Sequence, residues 1–400
     1  MLGAAVALHI AMLVSLRTEW LNPLFNDTRN RPGPAADFYS VYHSGRQVLT
    51  GRSPYDHDES PRITPAYFAP FRYPPGVAYT LGAAFGGTLE PRAAYVVWIA
   101  LLELLLLANL WGVRFLVDDE RLRTYVRCGW LVFTPLYVEL WMGQFTLFAV
   151  SLVYWAVIGW ERGRARLAAA AWSVASAIKL FPLALGALLL RRRQWYALAA
   201  AAGVLALALA WFIGRPDDFS GFLQLNFSRP QIAEVHAGNL GLHAFVYELF
   251  AWGGHLDGAS WAPYSRAISI AFAAVAAYAM LRPRAPDDRD DRIRAAMALW
   301  LLPLISKDAW EHHYVVALPA LTLMVAAWRD RPRRLVATAV IFAVIALPTW
   351  LVLVQDVPST WYPSATWSPL ATALYHAPKP LAATAGFALC GWTLLGRRRA

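Results

Sequence analysis

Long apolar runs separated by short basic clusters constrain this chain more than any motif does. Of its 400 residues, 58% are hydrophobic and only 16% are charged. This composition is outside the usual range of soluble domains, so it predicts an all-α polytopic membrane protein. A membrane span needs about 20 apolar residues. The candidate spans are 2–21, 73–90, 93–117, 125–142, 144–160, 165–190, 194–213, 261–281, 295–306, 312–328, 333–354 and 380–396.

The basic clusters predict which loops face the cytoplasm, because cytoplasmic loops are enriched in Lys and Arg. The clusters are Arg191–Arg193, Arg282 to Arg294, Arg329 to Arg334 and Arg397–Arg399. Three large loops then lie outside the cytoplasm, at about 17–72, 214–260 and 355–379. If 73–90 and 165–190 are re-entrant pairs of half-helices, about ten crossings result; otherwise there are about twelve. Residues 1–400 are interpreted as a single transmembrane domain.

Charge and cysteine content exclude several classes of function. The formal net charge is +10, but no basic stripe with interleaved aromatics suggests nucleic-acid binding. Cys128 and Cys390 lie in or beside apolar runs and predict neither a disulfide framework nor a metal motif. No basic leader or cleavage site accompanies the segment 2–16, which we interpret as a retained anchor. No cofactor is predicted.

The first large loop contains a carboxylate in aromatic surroundings. Residues 36–50 are predicted to form a short interfacial helix, with Asp37 at the N-cap position and Gly51 at the C-cap position. Asp37 is therefore either a helix cap or a fixed catalytic base. Asp56, Asp58 and Glu59 are alternative bases in what looks like a solvated turn. The aromatic residues of this loop, and those of 355–379, fit sugar stacking or an interfacial aromatic belt.

Lys179 is one of only three lysines in the chain and lies within an apolar stretch, followed by Pro182. A charge there costs on the order of 3 kcal/mol unless it faces a partner or a wet cavity. An ammonium is a good partner for a phosphate. The alternative is a snorkelling helix end.

The segment 306–314 contains Lys307, Asp308, Glu311 and the adjacent pair His312 and His313. The histidines can bind or donate a hydrogen bond to a phosphate. A zinc site has little support, because the pair is adjacent and His-Glu-x-x-His is absent. No metal is predicted. Further polar residues in apolar settings, which could bind a sugar or satisfy broken helix ends, are Glu103, Glu139, Gln144 and Asn239.

In this order, the motifs resemble glycosyltransferase family 87. They are Asp37…Tyr42…Gly45…Gly51-x-x-Pro54-Tyr55, Phe71-x-Tyr73-Pro74-Pro75, Gly143-Gln144, Ile178-Lys179-x-x-Pro182, Asn239-Leu240 and Trp310-x-His312-His313. The resemblance implies the C-type glycosyltransferase fold with about 10–12 transmembrane helices. It also implies a polyprenyl-phosphate sugar donor, inversion at the anomeric carbon and an active site outside the cytoplasm. The Lys307-Asp308 dipeptide departs from the family pattern, which leaves the role of Lys307 open.

The resemblance also implies roles for single residues. Asp37 is the expected base, and the donor phosphate is expected to contact His312, His313, Lys179 and Arg72. The residues expected to bind the sugar or acceptor are Tyr42, Tyr55, Tyr73, Gln144, Asn239 and Trp310. The expected partners are a polyprenyl-phosphate sugar, most simply mannose, a glycolipid or envelope-glycan acceptor, and the plasma-membrane bilayer.

Two other functions fit the same residues. A transporter or flippase of lipid-linked sugars would use them for binding without chemistry. A polyprenyl-diphosphate-dependent ligase or polymerase would share the topology, with more arginines expected in the outer loops. The sequence separates neither mannose from arabinose nor one acceptor from another.

Overall fold

The computed structural model describes residues 1–25, 34–56, 70–228, 238–253, 261–282, 288–348 and 367–396. Within these ranges the regular structure is helical and contains no strand. The helices up to residue 178 are α1 Leu2–Thr18, α2 Ala36–Leu49, α3 Pro75–Val77, α4 Ala83–Thr88, α5 Pro91–Gly112, α6 Glu120–Val132, α7 Thr134–Met142, α8 Thr146–Glu161 and α9 Ala165–Ile178. The others are α10 Gly186–Arg191, α11 Trp195–Leu209, α12 Pro216–Leu223, α13 Leu242–Trp252, α14 Trp261–Leu281, α15 Asp288–Ile305, α16 Ala317–Ala327, α17 Pro332–Ala346, α18 Pro369–His376 and α19 Pro378–Gly396. An all-helical membrane protein is what the composition predicts.

Among the described residues, three helical stretches are long and apolar enough to cross a bilayer: Pro91–Phe115, Trp195–Phe212 and Trp261–Leu281. Helices α7 and α8 are bent by 119° at the break between them, and they make a fourth stretch if they are counted as one broken span. The predicted span 73–90 consists of α3, the π-helix Ala78–Gly82 and α4. The number of crossings, ten or twelve, stays a prediction.

Helix α15 occupies the centre of the bundle. It packs against α16 and α19, and nearly every side chain between Asp290 and Leu304 is buried. From residue 295 to its end this helix is apolar on all sides, as expected of a helix inside a protein. Its indole Trp300 lies so close to Gly386 of α19 that a Cβ there would be 2.7 Å from the ring. The 3₁₀ helix Phe181–Leu185 also packs on α15, which brings the segment after Lys179 to the centre.

Helix α2 is held by close contacts between glycines. A Cβ on Gly45 would lie 1.9 Å from the carbonyl carbon of Gly82, in the π-helix, so only glycine permits this crossing. The N-cap of α2 is Ala35, and Asp37 lies in the first turn without capping it, so the N-cap interpretation of Asp37 is wrong. Gly51 follows the C-cap Thr50 with a φ of +78°, as a terminating glycine does.

Two helix breaks lie close to α2. The first joins α7 to α8 at Gly143, whose φ is +64° and whose Cβ would be 2.6 Å from the Cβ of Phe38. The second lies at Lys179, which has extended backbone between α9 and the 3₁₀ helix Phe181–Leu185. Broken helices need buried partners for their backbone polar groups. At the first break, Trp98 Nε1 donates to the carbonyl of Gly143 at 3.1 Å.

Helices α8 and α15 carry ion pairs at the ends that lie away from the helix breaks. Arg292, in the first turns of α15, forms two hydrogen bonds of 2.8 Å with Glu161 at the end of α8. Arg294 and Arg191 each contact Asp291 at 3.1 Å. Helix α8 has 16 residues, so about 24 Å separates this charged end from the Gly143 break.

Candidate active site

A cavity of about 410 Å³, here called the polar cavity, opens where the two helix breaks meet α2. Predicted site residues that line it are Asp37, Arg72, Tyr73, Gln144, Lys179, Trp310, His312 and His313. These residues come from five separate stretches of the chain. The polar cavity therefore brings together a carboxylate, an ammonium, a guanidinium and two imidazoles, the groups that the sequence analysis selected.

Lys179 is held by side chains of the Gly143 break. Its Nζ donates to Thr146 Oγ1 at 2.8 Å and to Gln144 Oε1 at 3.3 Å, and lies 5.8 Å from the centre of the Tyr73 ring. Gln144 Oε1 also accepts a hydrogen bond of 3.1 Å from the Tyr73 hydroxyl. The ammonium interacts electrostatically with two carboxylates, Glu139 and Asp37. Lys179 thus faces the polar cavity with its position already fixed.

Asp37 projects from the first turn of α2, where its side chain is almost entirely buried. Ser40 lies three residues later, on the same face of the helix, and also lines the polar cavity. The buried Ser40 hydroxyl has no hydrogen-bond partner among the described residues.

The two histidines belong to the 3₁₀ helix Glu311–Val316, here called the histidine turn. Their ring centres are 4.2 Å apart. The backbone N–H of Trp310 donates to His313 Nδ1 at 2.8 Å, so a neutral His313 carries its proton on Nε2. This tautomer gives the ring one N–H group that can donate to an anion.

Three predicted residues do not line the polar cavity. The Tyr42 hydroxyl donates to the carbonyl of Leu89 at 2.9 Å, and the side chain is fully buried. The Tyr55 hydroxyl donates to the carbonyl of Tyr73 at 3.0 Å, and burial raises the pKa of Tyr55. Both tyrosines therefore stabilise the backbone around the polar cavity and do not line it.

Asn239 is the third such residue, and it secures the approach to the histidine turn. Its Nδ2 donates to the carbonyl of Lys307 at 3.0 Å, while its Oδ1 accepts from the backbone of Ala309 at 3.2 Å. Leu240 N–H donates to the carbonyl of Ala309 at 2.8 Å. Lys307 itself does not line the polar cavity, and burial followed by the Arg266 guanidinium lowers its pKa.

Sequence reasoning assigned no site role to several polar residues that line the polar cavity: Ser40, Asn226 and Asp308. Ser40 could have been found from its helical spacing to Asp37. Asn226 carries no comparable signal. Of the alternative bases, Asp56 lies outside the polar cavity and Asp58 and Glu59 lie outside the described residues, as do Trp361 and Tyr362 of the third loop.

An apolar cavity of about 330 Å³ adjoins the polar cavity through Ile178, which lines both. It lies among the π-helix, α8, α9 and α11, and its other lining residues are Gly76, Val77, Tyr79, Thr80, Leu81, Phe148, Val174, Ala177, Val204, Leu207 and Ala208. A polar chamber with an apolar annex fits an amphipathic ligand, because each part of the ligand meets a matching lining.

Across the described ranges, no group of three His, Cys, Asp or Glu side chains is close enough to hold a metal ion. Metal independence of the site stays a prediction.

The model of glycosyltransferase family 87 matches residues 71–306, more than half of the chain. The chain belongs to glycosyltransferase family 87. No curated protein matches it. Family 87 membership, together with the apolar helices, makes the chain a membrane glycosyltransferase that uses a sugar donor and an acceptor. The family match includes Lys179 and Gln144, whereas Asp37, His312 and His313 lie beyond its limits. In this family 87 chain, a role for the latter three residues is therefore supported by the geometry of the polar cavity.

Proposed function

We propose that this chain is an inverting glycosyltransferase that moves mannose from a polyprenyl-phosphate carrier to a hydroxyl of a lipid-linked or envelope glycan. The supporting observation is the polar cavity, in which Asp37 shares one chamber with Lys179, Arg72 and two histidines. A single-displacement transfer needs one base for the acceptor and cations for the leaving phosphate. Both sets of groups are present.

The reaction is a direct displacement. The acceptor oxygen attacks the anomeric carbon of the sugar, and the bond from that carbon to the phosphate oxygen breaks. Asp37 takes the proton of the acceptor hydroxyl, and the carrier leaves as polyprenyl phosphate. Attack from the side opposite the leaving group inverts the anomeric configuration, and no second carboxylate is required as a nucleophile.

The cationic groups stabilise the negative charge that develops on the leaving phosphate. Arg72 is exposed at the rim, whereas His312 is almost fully buried. His313 contributes its Nε2 proton, and Lys179 contributes a fixed ammonium. Hydrogen bonds to the sugar and acceptor are assigned to Ser40, Gln144 and Asp308, with Tyr73 and Trp310 as stacking surfaces.

The apolar cavity is assigned to the first isoprene units of the carrier. Its lining is almost entirely hydrocarbon, and it meets the polar cavity at Ile178. Burying apolar surface contributes about 25 cal/mol per Å². A lipid tail in this position would hold the phosphate against Lys179.

The ion-paired end of the bundle supports an extracytoplasmic site. The arginines of that end form the clusters that the positive-inside rule assigns to the cytoplasm. The polar cavity lies at the other ends of α8 and α15, lined there by Leu302, so the reaction is assigned to the extracytoplasmic face.

Purified protein in detergent tests the proposal, with synthetic polyprenyl-phosphate mannose, the corresponding arabinose donor and a panel of lipid acceptors. Wild type is compared with Asp37→Asn in the presence of EDTA. We expect transfer by the wild type and a loss of about 10²- to 10⁴-fold in the variant. The matched control is Asp56→Asn, an acidic residue near α2 that does not line the polar cavity.

Each other outcome has a distinct meaning. Full activity of Asp37→Asn would assign the base elsewhere, and inactivation by EDTA would contradict metal independence. Transfer from the arabinose donor alone would correct the sugar. Binding of every donor without turnover would overturn the enzyme proposal and favour a transporter.

The apolar cavity has a separate test. Val174→Trp places an indole in it, and Leu167→Trp places the same indole at an exposed position of the same helix outside the cavity. We expect Val174→Trp to raise the KM of a long polyprenyl donor more than that of a short-chain analogue. If the two tryptophan variants changed the KM values equally, the assignment of the apolar cavity to the isoprene units would be wrong.

A further inference from the structure

Glu139 is a fully buried carboxylate outside the lining of the polar cavity. It projects from α7, just before the Gly143 break. Its Oε1 accepts a hydrogen bond of 2.6 Å from the backbone N–H of Leu147 in the first turn of α8. A carboxylate at a helix N-terminus is favoured by the helix dipole and by the unpaired N–H groups there.

The same carboxylate is linked to Lys179 through the turn at the Gly143 break, whose residues Gln144 and Thr146 accept the hydrogen bonds of Lys179. Glu139 and Asp37 are the two carboxylates that interact electrostatically with the Lys179 ammonium. Asp37 lines the polar cavity, whereas Glu139 is fully buried and does not line it. Thr146 and Gln144, which receive the hydrogen bonds of Lys179, belong to the turn that follows Glu139.

We propose that Glu139 is a positioning residue that keeps the Lys179 ammonium on the floor of the polar cavity, directed at the donor phosphate. This inference rests on the proposed transferase function. Without Glu139, the ammonium would have Asp37 as its remaining carboxylate neighbour. A direct Lys179–Asp37 ion pair would occupy both the base and the phosphate ligand, because buried opposite charges attract strongly.

The first experiment observes Lys179 without any need for activity. The chain has only three lysines, Lys179, Lys307 and Lys379. Protein labelled with ¹³Cε/¹⁵Nζ-lysine therefore gives three side-chain NMR signals in detergent, assigned with Lys→Arg variants. In Glu139→Gln we expect the Lys179 signal to move while the other two stay in place. Glutamine preserves the shape and can still accept the Leu147 bond, so the variant should fold.

The matched control is Glu103→Gln. Glu103 is also a glutamate in an apolar helix, but it pairs with His9 at 3.0 Å, away from the polar cavity. It should leave the Lys179 signal unchanged. An unmoved Lys179 signal in Glu139→Gln overturns the proposal even if the protein proves to be an active transferase.

The second experiment is a double-mutant cycle on the transfer rate. We expect Glu139→Gln to lower kcat by roughly 10- to 100-fold, the usual cost of a misplaced catalytic group. In the Lys179→Met background the same substitution should change kcat by about twofold or less, because its effect passes through Lys179. Equal losses in both backgrounds would show an independent role and overturn the proposal.

Failure of the two proposals is distinguishable. If no donor supports transfer, the transferase proposal fails, and the NMR comparison still decides whether Glu139 positions Lys179. If transfer occurs but the cycle is additive, the transferase proposal stands and the positioning role is rejected.

Discussion

Within the described ranges, two glutamate–lysine pairs have a fully buried glutamate; the lysine of one pair is half-buried and open to the polar cavity, and the lysine of the other is closed off from it. Lys179 lines the cavity, and its hydrogen bonds go to the side chains of Thr146 and Gln144. Lys379 of α19 is only 3% exposed. It forms an ion pair of 2.7 Å with Glu311 and donates to the backbone carbonyls of Ile345 and Leu347.

The two ammonium groups lie at nearly the same distance from a tyrosine ring. Lys179 lies 5.8 Å from the ring of Tyr73, and Lys379 lies 5.9 Å from the ring of Tyr314. The difference is in what each lysine can still bind. Lys379 is occupied by a carboxylate and two carbonyls, so it serves to fasten the histidine turn to α19. Lys179 faces an open chamber, where a phosphate can approach it.

The largest expected effect concerns the closed pair. Lys379→Met leaves Glu311 as a buried, uncompensated charge, so we expect a loss of about 3–5 kcal/mol in unfolding free energy. Thermal unfolding in detergent measures it. The matched control is Lys307→Met, the third lysine, which should change stability by about 0.5 kcal/mol or less. A melting curve of Lys379→Met that coincides with wild type would contradict the structural role of this pair.

The open pair should respond in activity. Lys179→Met removes one cation from the leaving phosphate, and we expect a loss of about 10²- to 10³-fold in the transfer rate. Its loss of stability should be less than that of Lys379→Met, because water in the polar cavity can enter the vacated space. Equal destabilisation by the two substitutions, with transfer intact in Lys179→Met, would remove the distinction.

From the sequence, a role is predicted for Lys179, which lies within an apolar stretch, and none is predicted for Lys379. Both are lone cations beside apolar runs, and both precede a proline within three residues. The two lysines differ in their long-range contacts. Lys179 contacts Thr146 and Gln144, whereas Lys379 contacts the end of α17. Composition and apolar runs predict the all-helical class, because they report directly on burial in a bilayer. They carry no record of which helix face meets which.

Helix α2 shows the same limit on a smaller scale. Asp37 and Ser40 share a face by their spacing, and both line the polar cavity. Tyr42 lies five residues after Asp37, roughly 140° around the helix, so it points to Leu89 instead. The break at Gly143 is predicted, because the candidate spans end at 142 and begin again at 144, but the close approach of Phe38 from a distant part of the chain is not.

A third buried glutamate, Glu248 of α13, sharpens the comparison because it forms no ion pair with a described residue. Helix α13 belongs to the predicted extracytoplasmic loop 214–260. Burial raises the pKa of Glu248 from its ordinary 4.5 to about 7. The folded state thus binds this proton more tightly than the unfolded state does. The stability contribution is fully present below about pH 4.5 and is lost as the pH rises through 7.

We expect a decline on the order of 2 kcal/mol in unfolding free energy between those two pH values. Thermal unfolding across this range measures it, and Glu248→Gln should flatten the profile relative to wild type. A slope that persists in Glu248→Gln would assign the pH dependence to another group.

The smallest expected effects come from the two tyrosines that face the lysines. Tyr73→Phe removes the 3.1 Å hydrogen bond to Gln144 and loosens the support of Lys179. We expect the transfer rate to fall by about 3- to 10-fold, the equivalent of one ordinary hydrogen bond, with little change in stability. Tyr314→Phe removes the 2.7 Å hydrogen bond to the carbonyl of Leu240, which leaves a buried acceptor without its partner. Here we expect about 1 kcal/mol of lost stability and a rate within about twofold of wild type. If the two substitutions exchanged these signatures, the open pair would be the structural one and the closed pair the functional one.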